Sequence, residues 1–232
     1  MVYLHEEPYF IYNRISSKDM GILVNTLPPI IKVNRDINKI VIPGRDGFLT
    51  EDFGTYSSMV KSCECTLLDI AEVDKVLAWL DGSGDVIFSD QPDRKYKASI
   101  INQIPFERIM RQWHKFIVIF DCQPFPLSVE NSEITLTVPS ALINVGTCTS
   151  KPIFKVYGTG TIDLDINGNV IHLTNVVGHV TIDSDLMDCY KDTVLKNNDM
   201  SGDFPELVVG QNSISWTGTV TSVVITPNWR WM

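Results

Sequence analysis

The chain has 232 residues, 44% hydrophobic and 20% charged, with a formal net charge of −9. That length admits one large all-β domain or two smaller ones, and the composition excludes a disordered tail or a fibre. The acidic balance argues against non-specific nucleic-acid binding, which rests on Lys and Arg. Apolar runs such as residues 116–120 stop at about five, where a bilayer span needs about 20. Residues 1–7 lack the basic and apolar regions of a secretory signal peptide.

In chain order, residues 61–67 read as a strand carrying Cys63-Glu64-Cys65. One intervening residue places both thiols on one face about 6.6 Å apart, which suits neither a CxxC redox pair nor a zinc knuckle. With Cys122, Cys148 and Cys189 the count is odd and scattered, the usage of reduced, buried small hydrophobes made in a reducing compartment. Asp69-Ile70-Ala71-Glu72 predicts a helix start, with Asp at the N-cap and Glu at N3. Ile70, Val73, Val76, Leu77 and Leu80 follow at helical spacing, and Gly82 stands where a C′ glycine belongs. Strands are predicted at residues 86–89, after a Gly82-Ser83-Gly84 turn, and at residues 96–104 and 115–121. One helix among this much strand predicts an α+β domain, a β-barrel or sandwich with one packed helix.

Cys122-Gln123-Pro124-Phe125-Pro126 then stops the chain in an extended turn, dividing it into domains 1–125 and 126–232. The first half carries 14 basic and 17 acidic side chains, the second 5 and 11. In the second half Thr161-Ile162-Asp163-Leu164-Asp165-Ile166 alternates strictly, and Asn167-Gly168 signals a type I′ turn before Asn169-Val170-Ile171-His172-Leu173. A two-residue loop pairs Ile166 with Asn169, Leu164 with Ile171 and Ile162 with Leu173, and sets Asp163 against His172 on the opposite face. Val223, Ile225, Pro227, Trp229 and Trp231 project to one side of a terminal strand. Short strands spaced by Gly and Asn turns predict a β-sandwich or jelly roll, so the fold class is mainly β.

Candidate chemistry is thin. Asp163-Leu164-Asp165-Ile166-Asn167-Gly168 matches the opening of a calcium loop, but the twelfth position, which needs a bidentate Glu, is Thr174. His5, His114, His172 and His179 form no HExxH or i, i+4 pair; His172 and His179 flank Asn175-Val176-Val177-Gly178, which looks like a loop. Gly158-Thr159-Gly160 lacks a third glycine and leads into a strand, where a dinucleotide site requires a helix. Asp183 with Asp185 is one of many carboxylate pairs that 28 acidic residues produce by chance. Trp216, Trp229 and Trp231 could stack on sugars, but Trp229 and Trp231 lie on the apolar side of their strand and read as core. No catalytic, cofactor-binding or metal residues are assigned, and the chain is not read as an enzyme.

Phe10-Ile11-Tyr12-Asn13-Arg14-Ile15-Ser16-Ser17-Lys18-Asp19-Met20-Gly21 resembles the opening of the distal tail protein (Dit) family, the siphovirus tail component of long-tailed phages and prophages of Gram-positive bacteria. Ile42-Pro43-Gly44-Arg45-Asp46-Gly47 is similar to that family's turn, followed by a strand entering the core. In the second half Lys151-Pro152-Ile153, Gly158-Thr159-Gly160, Ile166-Asn167-Gly168 and Ile182-Asp183-Ser184 follow in order. Gly202-Asp203-Phe204-Pro205, Gly210-Gln211-Asn212 and Pro227-Asn228-Trp229-Arg230 complete the series.

The resemblance implies a structural, baseplate-hub protein at the distal end of the virion tail, assembled in the host cytoplasm. Its N-terminal domain would be tail-tube-like and form a homohexameric ring that joins the tail tube to the host-adsorption apparatus. Its C-terminal domain would be a galectin-like jelly roll. Implied partners are a tail-tube protein on one side and, on the other, a tail-associated lysin, tail fibre or receptor-binding protein. Neither a cofactor, a membrane nor a nucleic-acid sequence is implied. Some members carry inserted carbohydrate-binding modules or long arms; 232 residues leave no room for one. The alternative, from another class, is a lectin-like carbohydrate-binding protein that recognises cell-wall glycan.

Overall fold

The computed structural model describes residues 7–232; residues 1–6, which hold His5 and most of the stretch read as lacking a signal peptide, lie outside it. Packing divides the chain into two compact units, one ending at Val129 and the other spanning Glu130–Trp231. Each has its own hydrophobic core, and both are mainly β.

In the first unit the strands are β1 (Phe10–Tyr12), β2 (Ile15–Ser16), β3 (Ile22–Thr26), β4 (Arg35–Ile40), β5 (Leu49–Tyr56) and β6 (Met59–Leu67), followed by helix α1 (Val73–Trp79). β7 (Gly82–Phe88), β8 (Arg94–Ile100), β9 (Glu107–Arg108), β10 (His114–Cys122) and β11 (Leu127–Ser128) follow. The main sheet runs β2-β1-β7-β8-β10-β6-β3, with β9 on β10 and β11 on β8. β6 alternates from Met59 to Cys65 and β10 from Lys115 to Cys122, so Lys61, Cys63, Cys65, Phe116, Val118 and Phe120 all point inward. Cys63 and Cys65 thus share the buried face that their spacing predicts. Phe10, Tyr12, Phe88 and Phe120 form an aromatic cluster with ring centroids 5.4–5.8 Å apart.

The helix is shorter than its sequence pattern. The Asp69 side chain caps the Ala71 amide at 3.0 Å, but residues 70–72 form a 3₁₀ turn and Glu72 reaches forward to Lys75. The α-helix ends at Trp79, because Trp79 is pulled inward: its ring stacks on Phe10 and its indole N–H donates to the Tyr12 carbonyl at 3.0 Å. Val76 and Leu80 are buried and Val73 half-buried, whereas Ile70 and Leu77 stay exposed. Gly82-Ser83-Gly84, expected as a turn, is already the start of β7, paired with Ile100, Ser99 and Ala98. Residues 101–104 fall beyond β8, which ends at Ile100.

The larger correction concerns the strand after Pro43-Gly44-Arg45-Asp46-Gly47. It does not enter the core. Among the described residues β5 pairs with β4 alone, and seven of its eight residues are exposed.

The second unit holds β12 (Ile134–Leu136), β13 (Ser140–Asn144), β14 (Ile153–Ile166), β15 (Asn169–Asp183), β16 (Asp188–Lys191), β17 (Val194–Leu195), β18 (Met200–Ser201) and β19 (Gly210–Thr226). They form an antiparallel sheet in the order β12-β19-β14-β15-β16-β17, with β13 on β19 and β18 on β15, curled into a β-sandwich. Strands of 14, 15 and 17 residues must bend to enclose a core, and they bend where register shifts occur, between Gly160 and Ile162 and between Tyr157 and Gly158. The bend brings backbones close: a Cβ on Gly218 would lie 2.4 Å from the Thr161 carbonyl oxygen. Asn175-Val176-Val177-Gly178, expected as a loop, lies inside β15, paired with β14 across this bend.

The Asn167-Gly168 hairpin has its predicted register, Ile162–Leu173, Asp163–His172, Leu164–Ile171 and Ile166–Asn169. Both turn residues have positive φ, 55° and 87°. At the end of the chain Val223, Ile225, Pro227 and Trp229 are buried as their alternation predicts. The strand itself stops at Thr226, and Asn228 takes a positive φ of 51°.

Candidate interaction surface

Exposed apolar side chains collect on the β4–β5 hairpin. Register places Ile40 opposite Leu49 on one face and Ile37 opposite Asp52 on the other, and both faces are open to solvent. Val41 (72% exposed), Ile42 and Phe48 extend the apolar surface to the tip, and Phe53 (58%) lies within the register shift nearer the root. Full burial of each such side chain is worth about 1.5–3 kcal/mol, and patches of this kind mark protein–protein contacts.

A two-stranded hairpin is marginal by itself in water. This one is fastened at its root. The Tyr56 ring meets Phe125 edge-on at 5.0 Å, and the Arg35 guanidinium lies 5.4 Å over Tyr56. Thr55 donates to Asp36 at 3.1 Å, the Ser57 hydroxyl donates to the same carboxylate, and the Ser57 amide donates to the Asn34 carbonyl. Arg35 bridges to Asp52 at 2.6 Å. The Gly54 amide, then the Arg35 guanidinium, hold the Asp52 carboxyl below the usual range. Lys39 lies over the Phe48 ring at 4.8 Å. Charges of both signs therefore alternate with apolar side chains along the hairpin. A second apolar patch, Ile109, Met110 and Trp113, caps the β9–β10 turn.

The residues considered for chemistry have structural occupations. Asp165 accepts from the Gly168 amide at 2.7 Å, inside the turn, and Asp163 pairs with His172 at 2.7 Å. Asp183 accepts the Asp185 and Leu186 amides, holding a turn, while Asp185 reaches Lys151 at 3.9 Å. His114 contacts the Gln112 carbonyl, and His179 lies 3.4 Å from Asp192. Gly158-Thr159-Gly160 lies mid-strand in β14. Among the described residues no three or more His, Cys, Asp or Glu side chains gather as a metal site. Trp229 is 8% exposed, and Trp216 and Trp231 pack on the same core.

All five cysteines are free thiols; Cys148 is half-buried and the other four are buried. Burial pushes Cys65 and Cys122 up to about 12 and Cys189 to about 11, and Cys63 still higher, which leaves them unreactive at neutral pH.

The hairpin was readable only in part. Ile40-Val41-Ile42 and Phe48-Leu49 look like core strands by hydropathy. The sign against it is that apolar residues fall on both faces among Arg35, Asp36, Lys39, Glu51 and Asp52, a pattern that fits no one-sided sheet.

The fold defines a class: a mainly β chain with a helix-backed, hairpin-bearing first unit and an antiparallel sandwich second. No family model matches the chain, and no curated protein matches it. Among solved structures it is similar to the Dit protein (gp 19.1) of phage SPP1, described as a paradigm of the hub adsorption apparatus in phages infecting Gram-positive bacteria. The TM-score is 0.73 at 15% identity, covering 95% of this chain and 98% of that one. The fold is therefore the one seen in SPP1 Dit, as the sequence resemblance anticipates.

Proposed function

We propose that this chain is a structural protein of a phage tail tip, a hub at the distal end of the virion tail. The observation that carries this reading is the likeness to SPP1 Dit along nearly the full length of both chains. In this reading the first unit assembles six-fold into a ring that joins the tail tube to the host-adsorption apparatus. The exposed β4–β5 hairpin supports self-association, since a neighbouring copy would cover its apolar faces. The second unit, read as galectin-like, would face a lysin, tail fibre or receptor-binding protein. The role is architectural, not enzymatic.

Negative-stain microscopy of the purified chain tests it. Six-fold rings are the expected particles, at high protein concentration where free copies otherwise dominate. Monomers at every concentration, with retention on cell-wall glycan, would instead support the lectin reading. That reading needs an exposed aromatic platform, and the tryptophans that would supply one pack on the sandwich core.

A further inference from the structure

A cavity of about 150 Å³ opens in the second unit beside the β15 bend, and neither the core nor the hub reading uses it. Its floor is apolar: Leu173, Val176 and Val180 are 1%, 5% and 5% exposed. Volume of this order accommodates a benzene-sized body. Its rim is basic. Lys191 and Lys196 line it with one carboxylate, Asp199, in a chain whose overall charge is −9.

The polar groups of the rim are not equally occupied. Both Asp199 oxygens are engaged, Oδ1 by the Asn175 amide and Oδ2 by Lys196 Nζ, each at 3.0 Å. That pairing matches the Lys196 charge. Lys191 Nζ donates to the Val177 carbonyl at 2.7 Å, a neutral partner that uses one of its three hydrogens. Among the described residues no carboxylate pairs with that ammonium, which is held at the mouth with donors to spare. Below it lies the hydrocarbon floor.

We propose that this cavity binds a small carboxylate carrying a benzene-sized apolar group, with the carboxylate on Lys191 and the apolar body against Leu173, Val176 and Val180. A neutral molecule of the same shape leaves the ammonium unmatched. An inorganic anion leaves the floor empty. The carboxylate could belong to a free acid or to the end of a partner's chain, and the two are separable by experiment.

Titration of the full chain with sodium benzoate, followed by amide NMR, is the test. Saturable shifts at Val176, Val177 and Lys191 are expected on the order of millimolar. Benzyl alcohol and sodium phosphate should each bind at least about tenfold more weakly. Lys191→Met should weaken benzoate about tenfold without moving the melting temperature, and Lys191→Arg should retain it. A tripeptide ending in phenylalanine that binds more tightly than benzoate, and more tightly than its own C-terminal amide, assigns the carboxylate to a chain end; weaker binding assigns a free acid. Absence of saturable shifts, benzyl alcohol or phosphate equal to benzoate, or unchanged binding by Lys191→Met would overturn the proposal.

Discussion

Lys61 is 2% exposed and points into the core of the first unit from β6. Its ammonium sits 4.7 Å over Tyr96 and 5.6 Å over Phe88, and its hydrogen bond to the Pro29 carbonyl is long, 3.4 Å. Burial lowers its pKa, outweighing the pull of nearby negative groups, Asp90 among them, on the charged form. Lys61→Met, similar in length and without charge, should therefore stabilise the first unit by about 1 kcal/mol, a melting shift of a few degrees. The sign with pH follows. The folded pKa is lowered and the unfolded one is ordinary, near 10.5, so the penalty is complete below the folded value and disappears as pH rises to the unfolded one. The gap between variant and parent should be widest at neutral pH and narrow on approach to about 10.5. A variant less stable than its parent at pH 7 would show that the cation–ring and Pro29 contacts prevail. Asn212, wholly buried, works in the opposite sense as a satisfied polar residue. It accepts from the Val208 and Asn167 groups at 2.8 Å each and donates to the Val208 and Gly210 carbonyls.

At the scale of elements, what could be read from sequence depended on whether one local rule decided the outcome. The Asn167-Gly168 turn did: turn type fixes loop length, loop length fixes register, and register puts Ile162, Leu164, Ile171 and Leu173 inside. Gly168→Val forces a β-branched residue to φ near 87° and should destabilise the second unit by about 1 kcal/mol or more. Calorimetry reads this as a loss confined to one of two transitions; a single transition moved as a whole would contradict independent folding of the units. The helix was half legible, because its cap is local but its end is set by Trp79 stacking on Phe10, nearly 70 residues away in sequence. Residues 175–178 read as a loop because a strand that bends at Asn175 and Gly178 breaks alternation, while its pairing with β14 is a long-range fact. The strand after Gly47 was expected in the core only through the resemblance of the turn before it, and a turn does not say whether a covering layer packs on the strand that follows. The cavity at Lys191 left no sequence signal at all: its walls come from β15, β16 and the 3₁₀ turn at residues 197–199.

At the scale of the whole molecule, the proposed ring must reside where a surface is left incomplete. The first half carries 14 basic and 17 acidic side chains, so copies of it repel less than copies of the second half, with 5 against 11. A cyclic ring needs one surface to meet a different surface of its neighbour. The hairpin supplies one such surface, apolar on both faces, with Arg35, Lys39, Asp46 and Glu51 interspersed to set register. Two fragments divided after Val129 keep β11 paired with β8 and leave each core whole. Light scattering should find oligomers, hexameric at high concentration, from residues 1–129 and monomers from residues 130–232. Val41→Ser with Phe53→Ser should abolish assembly of the full chain yet leave its melting temperature within about a degree, because both side chains are already in water. Assembly unchanged by the double substitution moves the contact off the hairpin. A monomeric first unit beside an oligomeric second one would place the ring in the wrong half of the chain and end this assignment.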